Sequence, residues 1–174
     1  MSTIRVDAAA GTLHFGGLAM PCAIGRGGAC AAAGKREGDG CTPVGRWPLR
    51  GVLLRPGKVP SEGIPLPWRW IRPDDGWSDD PADPAYNRPV RLPRAFSAER
   101  MRRDDDAYDV VIILGHNDAP PVPGMGSAVF FHLSEGCPTA GCVAVERSDM
   151  LRLLPLLRPG DVMEIVDIAE HCSP

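Results

Sequence analysis

Glycine and proline punctuate this chain so densely, with 20 and 19 copies in 174 residues, that a long uninterrupted helix has almost no room to form. Proline removes a backbone donor and clashes with the preceding helical turn, while glycine in a helix interior costs backbone entropy. Both counts exceed the average for a chain of this size. The expectation is a mainly β fold of short strands and tight turns, in a single domain over 1–174. A domain of that length buries roughly 70% of the surface that its unfolded chain exposes, so folding requires neither a disulfide nor a metal.

Local patterns refine this expectation. "TIRVD" and "TLHFGG" flank an Ala-Gly turn at 8–11 and predict a hairpin, with "LAMPCAIG" as a third strand. "GKREGDGCTPVGRWPLRGVLLR" mixes turn signals with short apolar pieces and predicts several strands joined by tight loops. From 71 to 96, Pro73, Pro81, Pro84, Pro89 and Pro93 alternate with Asp74, Asp75, Asp79, Asp80 and Asp83, which predicts a long irregular loop. Its Trp77, Tyr86 and Phe96 imply that the loop packs over something. The aspartates raise a calcium site, but they lack EF-hand spacing and read more simply as solvated or capping turns.

"SAERMRRD" at 97–104 predicts one or two helical turns with Ser97 as N-cap. "YDVVIILG" at 108–115 and "SAVFFHL" at 127–133 are apolar runs of the kind that form buried strands. "RSDMLRLLPLLRPGD" predicts one short helix in the C-terminal half, with Ser148 as N-cap, Asp149 in its first turn and leucines at 151, 154 and 157; Pro155 should kink or shorten it. "DVMEIVDI" predicts a closing strand.

Charge excludes some partners. A net charge of -3 and a pI near 5.8 provide no basic surface for phosphates, so nucleic acid is not expected. No apolar run approaches the ~20 residues of a membrane span, and the start "MSTIRVDAAAGTLHFGGLAM" lacks the pattern of a secretory signal. The default expectation is therefore a cytoplasmic, reducing compartment, with Cys22, Cys30, Cys41 and Cys172 as free thiols in the core.

The stretch "HLSEGCPTAGCVAV" gathers His132, Cys137 and Cys142 and allows three readings. A zinc site would use these three as ligands, but their spacing is wide and a fourth ligand such as His116 would be needed. A Cys137–Cys142 disulfide would close a small loop, which a reducing compartment does not favour. In the third reading a cysteine nucleophile sits beside its histidine base, because a free thiol of pKa ~8.5 needs such a neighbour to react at neutral pH. Gly141 suits that reading, since a residue without Cβ lets successive amides converge on one point.

The same stretch resembles the signature of the L,D-transpeptidase catalytic domain (YkuD) family: a histidine, a short loop, then Ser/Thr-x-Gly-Cys and an aliphatic residue. "GKREGDGCTPVGRWPL", "GWSDDP", "YNRPVRLP", "YDVVIILGHND" and "PVPGMGSAVFFH" are similar in content and order to a compact subgroup of that family, so the resemblance spans about residues 25–166. It implies a YkuD-like β-sandwich that acts on peptidoglycan stem peptides or muropeptides in bacterial cell-wall organisation, without metal or cofactor and as a monomer.

The resemblance also implies roles. Cys142 would form a thioester at the third stem residue, releasing terminal D-alanine, and an amine of a neighbouring stem would then make the cross-link. His132 would be base and then acid, steered by the backbone carbonyl of Leu133. Amides of Ala140, Gly141 and Cys142 would form the oxyanion hole. Papain-like and NlpC/P60-type peptidases place cysteine before histidine, so the order here favours the transpeptidase pattern. Thr139, Ala140 and Ala144 depart from the family's Ser-His-Gly-Cys and following arginine, which leaves substrate detail open.

Substrate contacts are expected from Thr139, Arg26 and Lys35, from His116 and Asn117 after the buried strand, and from Trp77, Asp79 and Tyr86 as part of a lid. Resolution of the thioester by water would make the same site an L,D-carboxypeptidase; a non-catalytic or zinc-binding relative is the alternative. The family's work implies the cell envelope, against the compartment expected from the start of the chain.

Overall fold

Alternation builds the first edge of the fold. In β1 (Thr3–Asp7) and β2 (Thr12–Phe15), Ile4, Val6, Leu13 and Phe15 turn into the core and the residues between them face outward, the two-residue period of a half-buried strand. Asp7 accepts the amide of Ala10 at 3.0 Å within the turn. β3 (Leu18–Pro21) pairs antiparallel with β2, so the expected three-stranded start forms, with a third strand shorter than predicted. In this computed structural model residues 1–168 are described, and Cys172 lies outside them.

β4 (Ala29–Ala31) leads to β5 (Thr42–Leu54), one strand of 13 residues where several short ones were expected. It tolerates Pro43 and Pro48 because its partners change along its length. Thr42–Val44 pair with β4, Gly45–Pro48 with the last strand, and Leu49–Leu54 with the central strand β10 (Val110–Leu114). Pro48 falls at that exchange of partners, where a missing ladder donor costs least. Cys30 and Cys41, expected as free thiols, are joined in a disulfide; the loop between them brings the two cysteines to a Cα separation of 5.9 Å, within reach of a bridge.

The region expected as an irregular loop carries structure of its own. β6 (Trp68–Trp70) pairs with β5. Beyond it, β7 (Asp75–Ser78), β8 (Pro89–Arg91) and β9 (Ala98–Arg100) form a separate three-stranded sheet. The prolines stand in its turns and at an edge, which is why their density misled. Ser97 caps no helix: the segment after it pairs with β7 and buries Met101. Asp75 is held by Arg69 and Arg91, and Asp83 by Arg94 and Ser78, whereas Oδ1 of Asp79 is buried without a hydrogen-bond partner among the described residues. Phe96 is exposed, unlike Trp77 and Tyr86.

β10, β11 (Phe130–Leu133) and β12 (Val143–Val145) complete the path that positions the site, with β11 and β12 parallel and His132 opposite Ala144. Helix α1 (Arg147–Leu153) follows, then a 3-10 turn at Leu154–Leu156 that contains Pro155. Ser148 is not the cap; Glu146 is, without a side-chain bond. The buried face is Met150, Leu153, Leu154 and Leu157, an i, i+3, i+4, i+7 stripe, while Leu151 is exposed. β13 (Val162–Val166) then lies between β1 and β5, so the main sheet runs β12-β11-β10-β5-β13-β1-β2-β3 with β4 and β6 also on β5, a mainly β, barrel-like sandwich.

Both faces of β10 and β11 are covered, which explains their unbroken apolar runs. Val110, Ile112, Phe131 and Leu133 face the main core. Val111 and Phe130 face a second cluster with Trp77, Met101, Tyr108 and Cys142, under the β8-β7-β9 sheet. By alternation His132 shares the face of Phe130.

Candidate active site

Strand pairing puts Cys142 and His132 on one wall of a cavity of about 470 Å³. Cys142 precedes β12, and its neighbour across the sheet is Phe130, whose amide donates to Sγ at 3.3 Å; the thiol donates to the carbonyl of Ala128, also at 3.3 Å. These are the partners of Sγ among the described residues, and no hydrogen bond links it to His132. Each of the two residues is only 7% exposed. Burial, with the charge of Glu99 adding, pushes the thiol up to about 12 against the opposing Phe130 amide and Lys35. Burial likewise pushes His132 down to about 4, and the Leu133 carbonyl opposes it. The resting pair is thus thiol and neutral imidazole.

The tautomer of His132 follows from its partner. Nδ1 lies 2.8 Å from the carbonyl oxygen of Leu133, and a carbonyl can only accept, so Nδ1 carries the proton and Nε2 holds the free lone pair. Tyr108 presses edge-on to the imidazole at 5.2 Å, Arg103 stacks on Tyr108 at 4.9 Å, and the Tyr108 hydroxyl donates to Glu99. Burial raises Glu99 above the usual carboxylate range, with the Tyr108 bond opposing.

The loop that ends in the cysteine is clamped from two sides. The amide of Thr139 donates to Ile24, the carbonyl of Thr139 accepts from Arg26, and Ala23 and Ala144 exchange both bonds. Thr139 Oγ1 donates to the carbonyl of Cys142 at 2.7 Å and accepts from the Gly141 amide at 3.1 Å; Thr42 Oγ1 also donates to the Cys142 carbonyl, at 3.3 Å. The Gly141 amide is therefore occupied in this state, whereas among the described residues those of Ala140 and Cys142 have no partner. Gly141 has φ +137 and a Cβ there would stand 2.9 Å from the Cys41 carbonyl, so no other residue fits without a shift.

Of the residues expected from sequence, Cys142, His132, Ala140, Gly141, Thr139, Arg26 and Lys35 line the cavity together. Lys35 is only 4% exposed and bonds Asp39 and the Arg36 carbonyl. Leu133 contributes its carbonyl, its side chain lying in the main core. His116, Asn117, Trp77 and Tyr86 do not line the cavity. They lie behind its wall, because Asn87, held at φ +54, collects them: its amide donates to the carbonyls of His116 and Asn117, and its Oδ1 accepts from Trp77 and from the Ala128 amide at 3.1 Å. Ala128, itself at φ +51, then presents its carbonyl to the Cys142 thiol. Tyr86 bonds Glu37, which also accepts from Ser127.

Sequence reading missed Asn87, Thr42, Glu37, Glu99, Tyr108 and Arg103, the last four of which line the cavity. Only the αL-tolerant asparagine of "YNRP" carried a local signal; the others are ordinary residues brought in by distant strands. The zinc reading does not assemble. Cys137 and Cys142 are free, and the one group among the described residues whose ligand atoms gather is Cys30, Asp39 and Cys41, where the two cysteines already share the disulfide.

Burial of His132 has a measurable cost in acid. Its folded-state pKa lies below the unfolded value of 6.5, so above pH 6.5 both states are neutral there and stability is complete. As pH falls towards 4 the unfolded chain takes the proton first, and stability drops. At pH 4.5 the expected loss from this residue is about 2–3 kcal/mol relative to neutrality. Urea denaturation at the two pH values, compared between wild type and His132→Gln, checks this: the variant should lose correspondingly less.

The model of the YkuD L,D-transpeptidase catalytic domain family matches residues 2–167. Comparison with curated proteins and with solved structures gave no significant match. No helix among the described residues is long and apolar enough to cross a membrane.

Proposed function

Because the chain belongs to the L,D-transpeptidase catalytic domain family, cysteine enzymes that act on peptidoglycan peptides, we propose that it is itself a cysteine L,D-transpeptidase, with one catalytic domain over 1–174. The observation that carries the reading is His132, whose Nδ1 is engaged by Leu133 so that Nε2 is left as the base, lining one cavity with Cys142.

In this mechanism the substrate carbonyl enters beside Cys142 and displaces water. Nε2 of His132 takes the thiol proton as sulfur attacks, which avoids a free thiolate in a site where burial disfavours one. The amides of Ala140 and Cys142, joined by Gly141 once its bond to Thr139 opens, receive the oxyanion. The imidazolium returns its proton to the departing amine of D-alanine, leaving a thioester on Cys142. An amine of a second stem then attacks, and His132 again moves the proton.

The cavity suits such a peptide because it carries both signs of charge: Arg26, Lys35 and Arg103 on one hand, Glu37, Asp79 and Glu99 on the other. A stem peptide that offers an ammonium and a carboxylate finds a partner for each. Incubation with muropeptides bearing tetrapeptide stems should release D-alanine and form cross-linked dimers, both read by mass spectrometry. Release without dimers would assign an L,D-carboxypeptidase; an unchanged substrate would overturn the proposal.

A further inference from the structure

The disulfide between Cys30 and Cys41 takes no part in the chemistry above, yet what it encloses leads to the cleft. The bridged residues are separated by 11 in sequence, and the loop between them brings Lys35, Glu37 and Gly38 to the cavity of Cys142 and His132. Within the loop Asp39 accepts from Lys35, from the Arg36 amide at 2.7 Å and from the Cys41 amide at 2.9 Å. The end of the loop reaches the nucleophile directly. The Cys41 carbonyl backs Gly141, and Thr42, next in the chain, accepts the Gly25 amide at 2.8 Å while donating to the Cys142 carbonyl.

Besides the disulfide, the two ends of this loop are tied by a short ladder and a few neighbouring bonds. β4 has three residues and pairs with Thr42–Val44, and next to it Gly27 donates to Gly40 at 2.9 Å and Thr42 to Gly28 at 2.8 Å, a small set of bonds against the entropy of a freed loop. Cys30 is half-buried and Cys41 buried, so a reductant meets Cys30 first.

We infer that Cys30 and Cys41 are positioning residues for the acyl-transfer site, their disulfide a redox-sensitive latch that holds the 31–40 loop and, through Cys41 and Thr42, the Gly141–Cys142 backbone. The inference rests on the acyl-transfer reading. An external dithiol opens the latch: one of its thiolates attacks the Cys30 sulfur, the Cys30–Cys41 bond breaks, and the second thiol of the reagent closes its own disulfide and frees Cys30. Two electrons and two protons pass to the protein, which gains two thiols, and the dithiol leaves oxidised.

The test compares the oxidised protein, the same protein reduced by a dithiol and desalted, and Cys30→Ser, all at a temperature well below unfolding. Amide hydrogen exchange is followed across the chain, and acylation by a carbapenem is followed over a concentration series to separate the saturating rate from the half-saturating concentration. Reduction is expected to speed exchange in 24–44 and 134–143, to leave β1, β2 and β13 protected, and to lower the saturating acylation rate by about tenfold or more, part of the roughly 10²–10³ that outright loss of an oxyanion donor costs; reoxidation should restore the rate. Cys30→Ser should match the reduced protein, and the reduced wild type decides alone if that variant does not fold. Unchanged exchange and rate overturn the inference. So does loss of protection throughout, which would mark a disulfide that merely stabilises the whole fold. An oxidised protein that takes no adduct sinks the acyl-transfer reading instead, and exchange then judges the latch by itself.

Discussion

Cys142→Ala should abolish both D-alanine release and the covalent adduct with a carbapenem, a loss of about a thousandfold or more, since the nucleophile itself is gone. The variant should still fold. Losing Sγ deprives the Phe130 amide and the Ala128 carbonyl of one weak partner each, a cost of about 1–3 kcal/mol, smaller than the stability of an ordinary domain. Circular dichroism and intact-protein mass spectrometry on the same sample separate the two effects. The adduct in wild type must map to Cys142 and not to exposed Cys137; activity that survives Cys142→Ala would end the proposed mechanism. The raised thiol pKa adds a second expectation. Simple alkylating agents, which need a preformed thiolate, should react slowly at neutral pH compared with an acylating agent that can use the histidine and the oxyanion hole.

His132→Ala should lower acylation by about 10²–10⁴, the usual contribution of a positioned general base. The pH dependence is the sharper observable. Because burial holds the imidazole near 4, the base stays unprotonated well below 6.5, and the second-order acylation rate should hold from neutrality down to about pH 5. A rate that fell with a midpoint near 6.5 would place the working base in water, outside this buried position. In the variant the acid limb should disappear along with most of the rate. His132→Gln guards against a packing artefact, since it fills part of the space beside Tyr108 and can still donate to the Leu133 carbonyl; it should fold better than the alanine variant and be no more active.

Much of the site was legible because its pieces are local. His132 is the last residue but one of an apolar strand and Cys142 immediately precedes the next, so two short stretches, "FFHL" and "GCVAV", already carried the proposed base, the proposed nucleophile and the glycine before it. Strand spacing then had to place them on a common face, and the parallel pairing of β11 and β12 did so. The carbonyl of Leu133 was within reach because it belongs to the next residue.

Other readings failed where sequence neighbours are not the deciding neighbours. Ser97 and Ser148 carry helix-cap chemistry, but the first precedes an edge strand claimed by β7 and the second sits inside a helix that begins one residue earlier. His116, Asn117, Trp77 and Tyr86 were expected at the substrate and instead support Asn87 and Glu37 from behind, because a residue after a buried strand can turn to either side and only packing chooses.

Period and punctuation determined that this chain is mainly β and that one short helix precedes its last strand, and the family resemblance carried by "HLSEGCPTAGCVAV" and the segments around it singled out Cys142 and His132 as the pair to test; each of these readings depends on residues close to one another in the chain. Tertiary structure decided the rest: that Cys30 meets Cys41, that β5 runs unbroken through two prolines, and that Glu37, Glu99, Tyr108 and Arg103 share one cavity with the thiol. Those contacts join strands whose proximity is set by burial and by ladder bonds over long separations, and no local pattern of side chains records which strand a given edge will find.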